Sequence, residues 1–364
     1  MPTFRPDVRA ISPYVPGRPI ADVAREKGFD PEEIVKLASN ERPLPPLPAV
    51  REAMAAAIGE SHRYPDNEAR ELRLRLAEVL GVDYSEVMIG AGSSELLRMA
   101  ATATGGPGTS AVYPWPSFVV YRLASILAMT DRIEVPLDPE QRNDLDAMLD
   151  AIRDDTTLIY VCNPNNPTGT IRSQAEIAAF VEAVPERVTV LVDEAYFEYA
   201  TDASYGTALE LALERPNVVV TRTFSKVHGL SAHRVGYGIS RPENIEQLRK
   251  AQAPFSVTSL AQVGALASLD HLDDIGARVE ENTAGRAVVE DRLEQLAIEF
   301  IPSQANFVYL RLGAGTGEVT EAFLDHGVIL RPFSGGWVRV TIGSPDENAR
   351  FLEALETELT RLAG

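Results

Sequence analysis

The sequence contains a single cysteine, Cys162, among its 364 residues. One cysteine excludes an internal disulfide and any metal site built from several thiolates. Histidine is scarce as well, and the closest pair, His228 and His233, is spaced so that a helix would place the two rings on different faces. No carboxylate or cysteine completes a ligand set around them, so we expect no metal site.

Positive charge is also in short supply, with 34 lysines and arginines against 53 aspartates and glutamates and a net charge of -19. Phosphate backbones and anionic lipids require a basic surface, so we expect no nucleic-acid or membrane partner. The N-terminal MPTFRPDVRA lacks the apolar core of a signal peptide. The longest uncharged stretch, residues 99–121, is interrupted by prolines and glycines, so we expect a cytoplasmic protein.

Apolar runs and helical patterns alternate in the middle of the chain. The runs LIYVC, VTVLV and NVVV occupy residues 158–162, 188–192 and 217–220. Ser173 and Glu176 have the spacing of a capping box and predict a helix between the first two runs. Strands buried on both faces are continuous Val/Ile/Leu runs, and parallel strands need helical crossovers. The pattern predicts an α/β fold with a mainly parallel sheet and helices on both faces.

The two ends of the chain have different patterns. Residues 1–40 are rich in proline, as in PYVPGRP, and we interpret them as an arm that lies across another part of the protein or a partner subunit. Residues 41–264 would form the large domain. Residues 265–364 combine a long charged helix, short strands and a last helix, and they predict a smaller α+β domain. Ser344 and Glu347 have capping-box spacing at the start of that last helix, with Pro345 at its first position.

Polar residues directly follow three of the apolar runs. NPNNPTG follows the first, DEAY the second, and FSK comes shortly after the third. Each has an ordinary explanation: a turn, a helix N-cap for Asp193, and a solvated surface position for Lys226. Ligands bind at the carboxyl ends of parallel strands, and these groups would meet at one such edge. This convergence favours a binding site.

A glycine-rich turn precedes another predicted helix, in EVMIGAGSSELLRMA at residues 86–100. Free N–H groups and the positive end of the helix dipole make such a turn an anion site. The turn lacks the dinucleotide fingerprint, and no Walker lysine follows it. We therefore do not expect NAD or a nucleoside triphosphate.

Lys226 is one of only four lysines, whereas the chain has 30 arginines. A lysine amine can lose its proton and form an imine, which a guanidinium cannot do. A lysine, a carboxylate and a phosphate cradle at one sheet edge indicate a Schiff-base cofactor. Pyridoxal 5'-phosphate requires this set of groups.

The chain resembles the fold-type I, class II-like pyridoxal-phosphate aminotransferases, in particular those acting on histidinol phosphate and aromatic amino acids. The motifs KLASNE, HRYPDN, GAGSSELL, NPNNPTG, VDEAYFEY, RTFSK, RVGYG, SQANFV, RPF and WVRVTIG appear in family order across nearly the whole chain. The resemblance implies the fold described above, a large cofactor domain with a smaller second domain, and a homodimer with active sites at the subunit interface.

The same resemblance implies roles for individual residues. Lys226 would bind the cofactor aldehyde as a Schiff base and move the substrate proton, Asp193 would hold the pyridine nitrogen, and Tyr196 and Asn166 would donate to the phenolate oxygen. Ser93, Ser94, Ser225 and Arg234 would form the phosphate cup, Phe118 would stack on the ring, and Tyr64 would reach the cofactor phosphate of the neighbouring subunit. Arg339 and Arg331 would bind the substrate anion, with Tyr14 and Asn40 at the substrate mouth.

The implied activity is transamination, with histidinol phosphate as donor and 2-oxoglutarate as acceptor. An aromatic amino acid donor is the alternative, and a pyridoxal-phosphate lyase such as a threonine-phosphate decarboxylase is a further one. A transcription regulator would need a DNA-binding domain that the proline-rich N-terminus cannot supply. The chain departs from the family pattern at His228 and His233, for which we favour a structural role, and at ERP and PLPPLP near the substrate mouth.

Overall fold

The computed structural model describes residues 3–14, 16–313 and 315–363. The strands are β1 (Val35–Lys36), β2 (Val87–Gly90), β3 (Ser110–Trp115), β4 (Asp131–Pro136), β5 (Thr156–Cys162), β6 (Thr189–Asp193), β7 (Val218–Thr223), β8 (Gly236–Ile239), β9 (Phe300–Ile301), β10 (Phe307–Arg311), β11 (Val328–Ile329), β12 (Arg331–Pro332) and β13 (Trp337–Thr341).

The α-helices are α1 (Pro6–Ala10), α2 (Ile20–Lys27), α3 (Pro48–Ala57), α4 (Arg70–Leu80), α5 (Ser93–Thr104), α6 (Val120–Leu127), α7 (Leu145–Asp150), α8 (Gln174–Ala183), α9 (Leu209–Glu214), α10 (Pro242–Arg249), α11 (Ser259–Leu269), α12 (Leu272–Gln295), α13 (Thr316–Leu324) and α14 (Pro345–Ala363). Among the described residues, none of these helices is both long enough and apolar enough to cross a bilayer.

A seven-stranded sheet in the order β2-β8-β7-β6-β5-β3-β4 forms the centre of the fold. Strands β3 to β7 pair in parallel, and β8 is antiparallel to both of its neighbours. Alternate residues of β5 enter two different cores, with Ile159 in one and Tyr160 in the other. Helices α4, α8 and α11 cover the first face, and α5, α6 and α10 cover the second. The predicted parallel α/β architecture is confirmed.

Two helix starts that the sequence predicts are present. Ser173 caps α8 through a full capping box in which Glu176 Oε2 accepts from the Ser173 N–H at 2.7 Å. Glu347 Oε2 accepts from the Ser344 N–H at 2.8 Å in front of α14. Each box provides partners for N–H groups that a helix start would otherwise leave unpaired.

The C-terminal part contains a four-stranded antiparallel sheet in the order β12-β13-β10-β9. Residues 328–332 are divided between two sheets, because β11 pairs in parallel with β1 whereas β12 pairs with β13. Helices α12, α13 and α14 contribute Val289, Phe323 and Phe351 to the core beneath this sheet. Antiparallel strands with separate helices are the predicted α+β pattern.

The first 40 residues are more regular than their proline content predicts, because they contain α1, α2 and β1. Val23 and Ala24 of α2 pack with Leu324 and Ile329 of the C-terminal part. Arg5 donates to the main-chain carbonyl of Ile126 at 3.0 Å, next to the large sheet. The segment therefore touches both parts of the chain.

Candidate active site

A cavity of about 530 Å³ opens where β5, β6 and β7 end. Every candidate site residue except Tyr64 lines it, so the structure brings together residues from position 14 to position 339. The lining includes Tyr14, Asn40, Ser93, Ser94, Phe118, Asn166, Asp193, Tyr196, Ser225, Lys226, Arg234, Arg331 and Arg339. The edge of the sheet that the polar segments predicted is therefore the edge that carries the cavity.

Asp193 is the last residue of β6 and is only 1% exposed. Burial raises the pKa of its carboxyl group to about 6, against the opposing effect of hydrogen bonds from Tyr121 and Thr221. The Tyr121 hydroxyl donates to Oδ2 at 2.9 Å and the Thr221 hydroxyl to Oδ1 at 3.3 Å. A carboxylate held in this way favours a cationic partner in front of it.

Tyr121 is a site residue that sequence reasoning missed. It lies in the first turn of α6, and its ring meets that of Phe118, just before the helix, edge to face with 5.8 Å between centroids. Its ring stacks on that of Tyr160 with 4.7 Å between centroids. The three-residue spacing of Phe118 and Tyr121 in WPSFVVY was the available sequence signal for a second aromatic residue near the site. The same spacing is equally typical of a helix face that packs in an apolar core.

Lys226 lies in the turn that follows β7, is half-buried and lines the cavity. Burial, followed by the nearby positive charge of Arg339, lowers the pKa of this amine to about 7. Nζ donates to the main-chain carbonyl of Asn40 at 3.3 Å and lies 5.3 Å from the centre of the Tyr196 ring. A substantial fraction of the amine is therefore neutral near pH 7, as a nucleophile requires.

Asn40 connects Lys226 to Tyr196. Its backbone is left-handed, with φ of 54°. Its carbonyl accepts from Lys226, while its side-chain amide donates to the Tyr196 hydroxyl at 2.8 Å. The Thr341 hydroxyl accepts from the Asn40 N–H at 2.9 Å and so ties the segment to β13. Asn40 therefore sits deeper than the substrate mouth where the sequence placed it.

The N-terminus of α5 faces Arg234 and Ser225. Gly92 has φ of 74°, and a Cβ at this position would collide with the Arg234 guanidinium. Arg234 Nη1 donates to Ser225 Oγ at 3.2 Å, and Ser93 and Ser94 open the helix beside them. Helix N–H groups, hydroxyls and a guanidinium directed at one point form an anion cradle.

Two arginines stand side by side at the other end of the cavity. Arg331 on β12 and Arg339 on β13 are direct partners in the strand register. Arg339 donates to the Ala38 carbonyl at 2.8 Å and to Asn166 Oδ1, but its Nε has no partner among the described residues. Burial lowers the pKa of Arg339 to about 10. Arg331 lies over the Tyr14 ring at 5.9 Å.

Tyr64 lies outside this cavity. It is 81% exposed, and its ring stacks on that of Phe255 at 4.7 Å. The sequence assigned it to the neighbouring subunit's site, a role that requires it to point away from the cavity of its own chain.

The two histidines do not lie on one helix. His228 lies in a turn and His233 ends a short 3-10 segment, Ser231–His233. His228 is buried, with Nδ1 2.7 Å from Ser268 Oγ and its ring 4.7 Å from that of Phe224. Neither histidine lines the cavity, in keeping with a structural role. Within the described residues, no cluster of ligating side chains forms a metal site.

The groups in the cavity fit pyridoxal 5'-phosphate. Asp193 offers a buried carboxylate for a pyridinium, Lys226 offers a neutral amine for an aldehyde, and the α5 cradle suits a phosphate. Glycine at position 92, where a Cβ would collide with the Arg234 guanidinium, lets this cation lie against the start of α5, as a phosphate cradle requires. Phe118 supplies an apolar ring in the same cavity.

Comparisons with known proteins agree with this geometry. The profile described as "Aminotransferase class I and II" matches residues 32–355. The chain is 44% identical to "Histidinol-phosphate aminotransferase 1" of Cupriavidus pinatubonensis, covering 98% of this chain and 96% of that protein. It is 43% identical to "Aromatic amino acid aminotransferase" of Nocardia farcinica, covering 96% and 95%.

Among solved structures, a crystal structure of histidinol-phosphate aminotransferase from Sinorhizobium meliloti in complex with pyridoxal-5'-phosphate has a TM-score of 0.90 at 25% identity, covering 99% of this chain and 98% of that one. The sequence matches extend over the cavity residues as well as the sheet. The chain therefore belongs to the class I and II aminotransferases and is a pyridoxal-5'-phosphate-dependent enzyme.

Proposed function

We propose that this aminotransferase takes histidinol phosphate as its amino donor and 2-oxoglutarate as its acceptor. The observation that carries the proposal is the direct pairing of Arg331 and Arg339 in the register of β12 and β13. A phosphate ester carries up to two negative charges and several acceptor oxygens, so two adjacent guanidinium groups suit it. The relative from Cupriavidus pinatubonensis bears the corresponding name.

The charge around the two arginines supports an anionic ligand. Two acidic residues, Glu41 and Asp193, line the cavity. Glu41 is paired with Lys36 at 2.9 Å, and Asp193 is held by Tyr121 and Thr221. Arg339 retains a buried Nε without a partner among the described residues, and an anion that accepts from it would relieve this cost.

An aromatic amino acid is the second candidate donor. Trp115, Phe118 and Phe333 line the cavity and offer flat apolar surface to a phenyl or phenol ring. The carboxylate of such a donor requires one guanidinium, for which Arg339 suffices. The relative from Nocardia farcinica carries this activity in its name.

We propose the following division of work among the residues. Bound pyridoxal 5'-phosphate supplies an electron sink that stabilises negative charge at the donor Cα. Asp193 holds the pyridine nitrogen in its protonated form, and Lys226 accepts and returns the Cα proton. Tyr196 and Asn166 donate to the phenolate oxygen, Phe118 packs on the ring, and the phosphate is bound by Ser93, Ser94, Ser225 and Arg234.

We further propose a homodimer in which Tyr64 completes the partner subunit's phosphate site, and a location in the cytoplasm. The exposed Tyr64–Phe255 ring pair supports the dimer, because aromatic groups of this size are enriched at interfaces.

For the domains we propose an N-terminal arm to residue 40, a large domain and a C-terminal domain. Helix α11 crosses the 264/265 division and packs in the large core through Ala265 and Leu269, so the division lies better between α11 and α12.

The donor is tested by single-turnover absorbance of the bound cofactor with L-histidinol phosphate and with L-phenylalanine. We expect the higher specificity constant for histidinol phosphate. Arg331→Gln is expected to lower that constant by about 10- to 100-fold, because one charged hydrogen-bond pair is lost, and to leave phenylalanine within about threefold. Faster turnover of phenylalanine would identify the second candidate. Release of carbon dioxide without a keto acid would identify a lyase instead.

A further inference from the structure

A second cavity, of about 500 Å³, lies beyond the segment that follows Asn40. It is bounded by Arg42 and Leu44, by Tyr199, by α12 and by the residues that follow β13. No described residue lines both this cavity and the catalytic one. We call it the second cavity. Its volume is close to that of the catalytic cavity and suits a small molecule.

Two arginines, Arg42 and Arg278, line the second cavity together with one carboxylate, that of Glu281. Arg42 Nη2 pairs with Glu281 at 3.2 Å, but that carboxylate is mostly exposed, and Arg42 Nε is buried without a partner among the described residues. Arg278 is buried and donates to main-chain carbonyls, and no described carboxylate lies within ion-pair distance of it. Two largely enclosed arginines and one mostly exposed carboxylate leave an excess of positive charge in the lining, so the cavity favours a negatively charged ligand.

The rest of the lining is largely apolar. Ile342 is buried, whereas Leu44 and Val288 are 49% and 58% exposed, so the cavity opens to solvent beside two apolar side chains. A planar carboxylate matches the fork of a guanidinium, and an apolar body would cover Leu44 and Val288. The chemical class that fits is a small carboxylic acid with an aliphatic or aromatic body.

Two residues that line the second cavity donate hydrogen bonds to the main chain around Lys226. Arg278 Nη1 donates to the carbonyls of Val227 and His228, directly after Lys226, at 3.4 Å each. Asn306 lines the cavity and donates at 3.2 Å to the Asn40 carbonyl, the oxygen that also accepts from Lys226 Nζ. A ligand that draws Arg278 or Asn306 towards itself therefore changes the hydrogen bonds around Lys226.

We propose that the second cavity is a ligand site for a small apolar carboxylic acid, which is coupled to the active site through Arg278 and Asn306. The site is independent of which amino donor the enzyme uses. Because such coupling is reciprocal, occupation of the second cavity and the state of the Lys226 amine influence each other by the same free energy.

The test uses phenylacetate as probe and holoenzyme carrying both Arg331→Gln and Arg339→Gln, so that neither active-site arginine can hold the probe. Isothermal titration calorimetry is expected to show one saturable site per chain. Adding Arg42→Gln should weaken binding by about tenfold or more, because a charged hydrogen bond is lost. Val288→Trp should weaken it similarly by filling the opening. Ala287→Trp is the matched control, since Ala287 is an exposed neighbour on α12 outside the lining, and should bind as the parent does.

The coupling has its own measurement, the pH titration of the bound cofactor's absorbance. Saturating phenylacetate should move the midpoint by about half a pH unit or more in the protein with both active-site arginines replaced, and not in the version that also carries Val288→Trp. Absence of saturable binding, or binding that survives both Arg42→Gln and Val288→Trp, overturns the proposed site. Binding without a spectral shift overturns the coupling. None of these readouts depends on histidinol phosphate, so a failure here is distinct from a failure of the proposed donor.

Discussion

The hydroxyl of Tyr121 donates a hydrogen bond to Oδ2 of Asp193 at 2.9 Å, and both side chains are buried. A hydrogen bond to the ionised form of a carboxyl group favours that form. Tyr121 therefore keeps the pKa of Asp193 below the value that burial alone would give. A carboxylate that must hold a pyridinium depends on this support.

Tyr121→Phe should therefore raise the pKa of Asp193 and weaken cofactor binding at acidic pH. A hydrogen bond to a charged group corresponds to about one pH unit, so the acid limb of the cofactor-retention curve should move up by about that amount. The measurement is cofactor absorbance after gel filtration at a series of pH values. Tyr160→Phe is the control, because it removes a neighbouring phenol that bonds Leu97 and not Asp193. Equal shifts in both variants would contradict the assignment.

Asp193→Asn should make the cofactor-free protein more stable. The folded-state pKa of Asp193 is about 6, above the ordinary value of 3.8, so its favourable contribution is complete below 3.8 and is lost as pH rises through 6. At pH 8 the buried charge costs about 3 kcal/mol, which the amide avoids. Urea unfolding of both proteins at pH 4 and pH 8 should show a gain for the variant only at the higher pH.

Recombination of the cofactor-free enzyme with pyridoxal 5'-phosphate should accelerate as pH rises through about 7, the pKa to which burial lowers Lys226. The neutral amine is the nucleophile, so the rate follows its fraction. Arg339→Gln removes a nearby positive charge and should shift the midpoint upward by up to about one unit. Arg331→Gln, one strand away, is the control and should shift it less. Stopped-flow absorbance measures both, and a midpoint near the ordinary lysine value would contradict the prediction.

Glu194→Gln should destabilise the fold strongly. Glu194 Oε2 accepts from Arg222 Nε at 2.9 Å, and both groups are buried. Removing one partner leaves the Arg222 charge buried and unbalanced, at a cost of about 3–5 kcal/mol in the free energy of unfolding. Glu182→Gln breaks the exposed pair with Arg215 and should cost less than about 1 kcal/mol. Denaturant titration measures the free energy of unfolding of both variants. Equal losses would show that the buried pair stabilises the fold no more than the exposed one.

Subunit complementation tests the role proposed for Tyr64. Lys226→Ala and Tyr64→Ala chains are each expected to have low activity, the first by loss of the amine and the second by loss of the partner's phosphate contact. Chains mixed and refolded together should recover about a quarter of wild-type activity, because half of the dimers are mixed and each contains one intact site. Recovery that stays at the level of the unmixed variants would place Tyr64 outside the partner's site.

Much of the fold and the cofactor site could be predicted from the sequence. The runs 158–162, 188–192 and 217–220 are strands of one parallel sheet, and the groups that follow them meet in one cavity. These features are local, since a buried strand and a capping box each depend on a few adjacent residues. The helices at positions 6–10 and 20–27 were not predicted, because prolines near their starts resemble those of an irregular segment.

The sequence by itself determined which groups are present: one lysine able to form an imine, a carboxylate at a strand end, an anion cradle and two arginines. The tertiary structure alone decided their environment. Tyr121 reaches Asp193 across 72 positions, and Lys226 reaches Asn40 across 186. Such pairs leave no periodic signal in the chain, whereas a pKa depends on burial and on charges that packing brings near. For the same reason the second cavity, enclosed by segments from residue 42 to residue 348, appears only once the chain is folded.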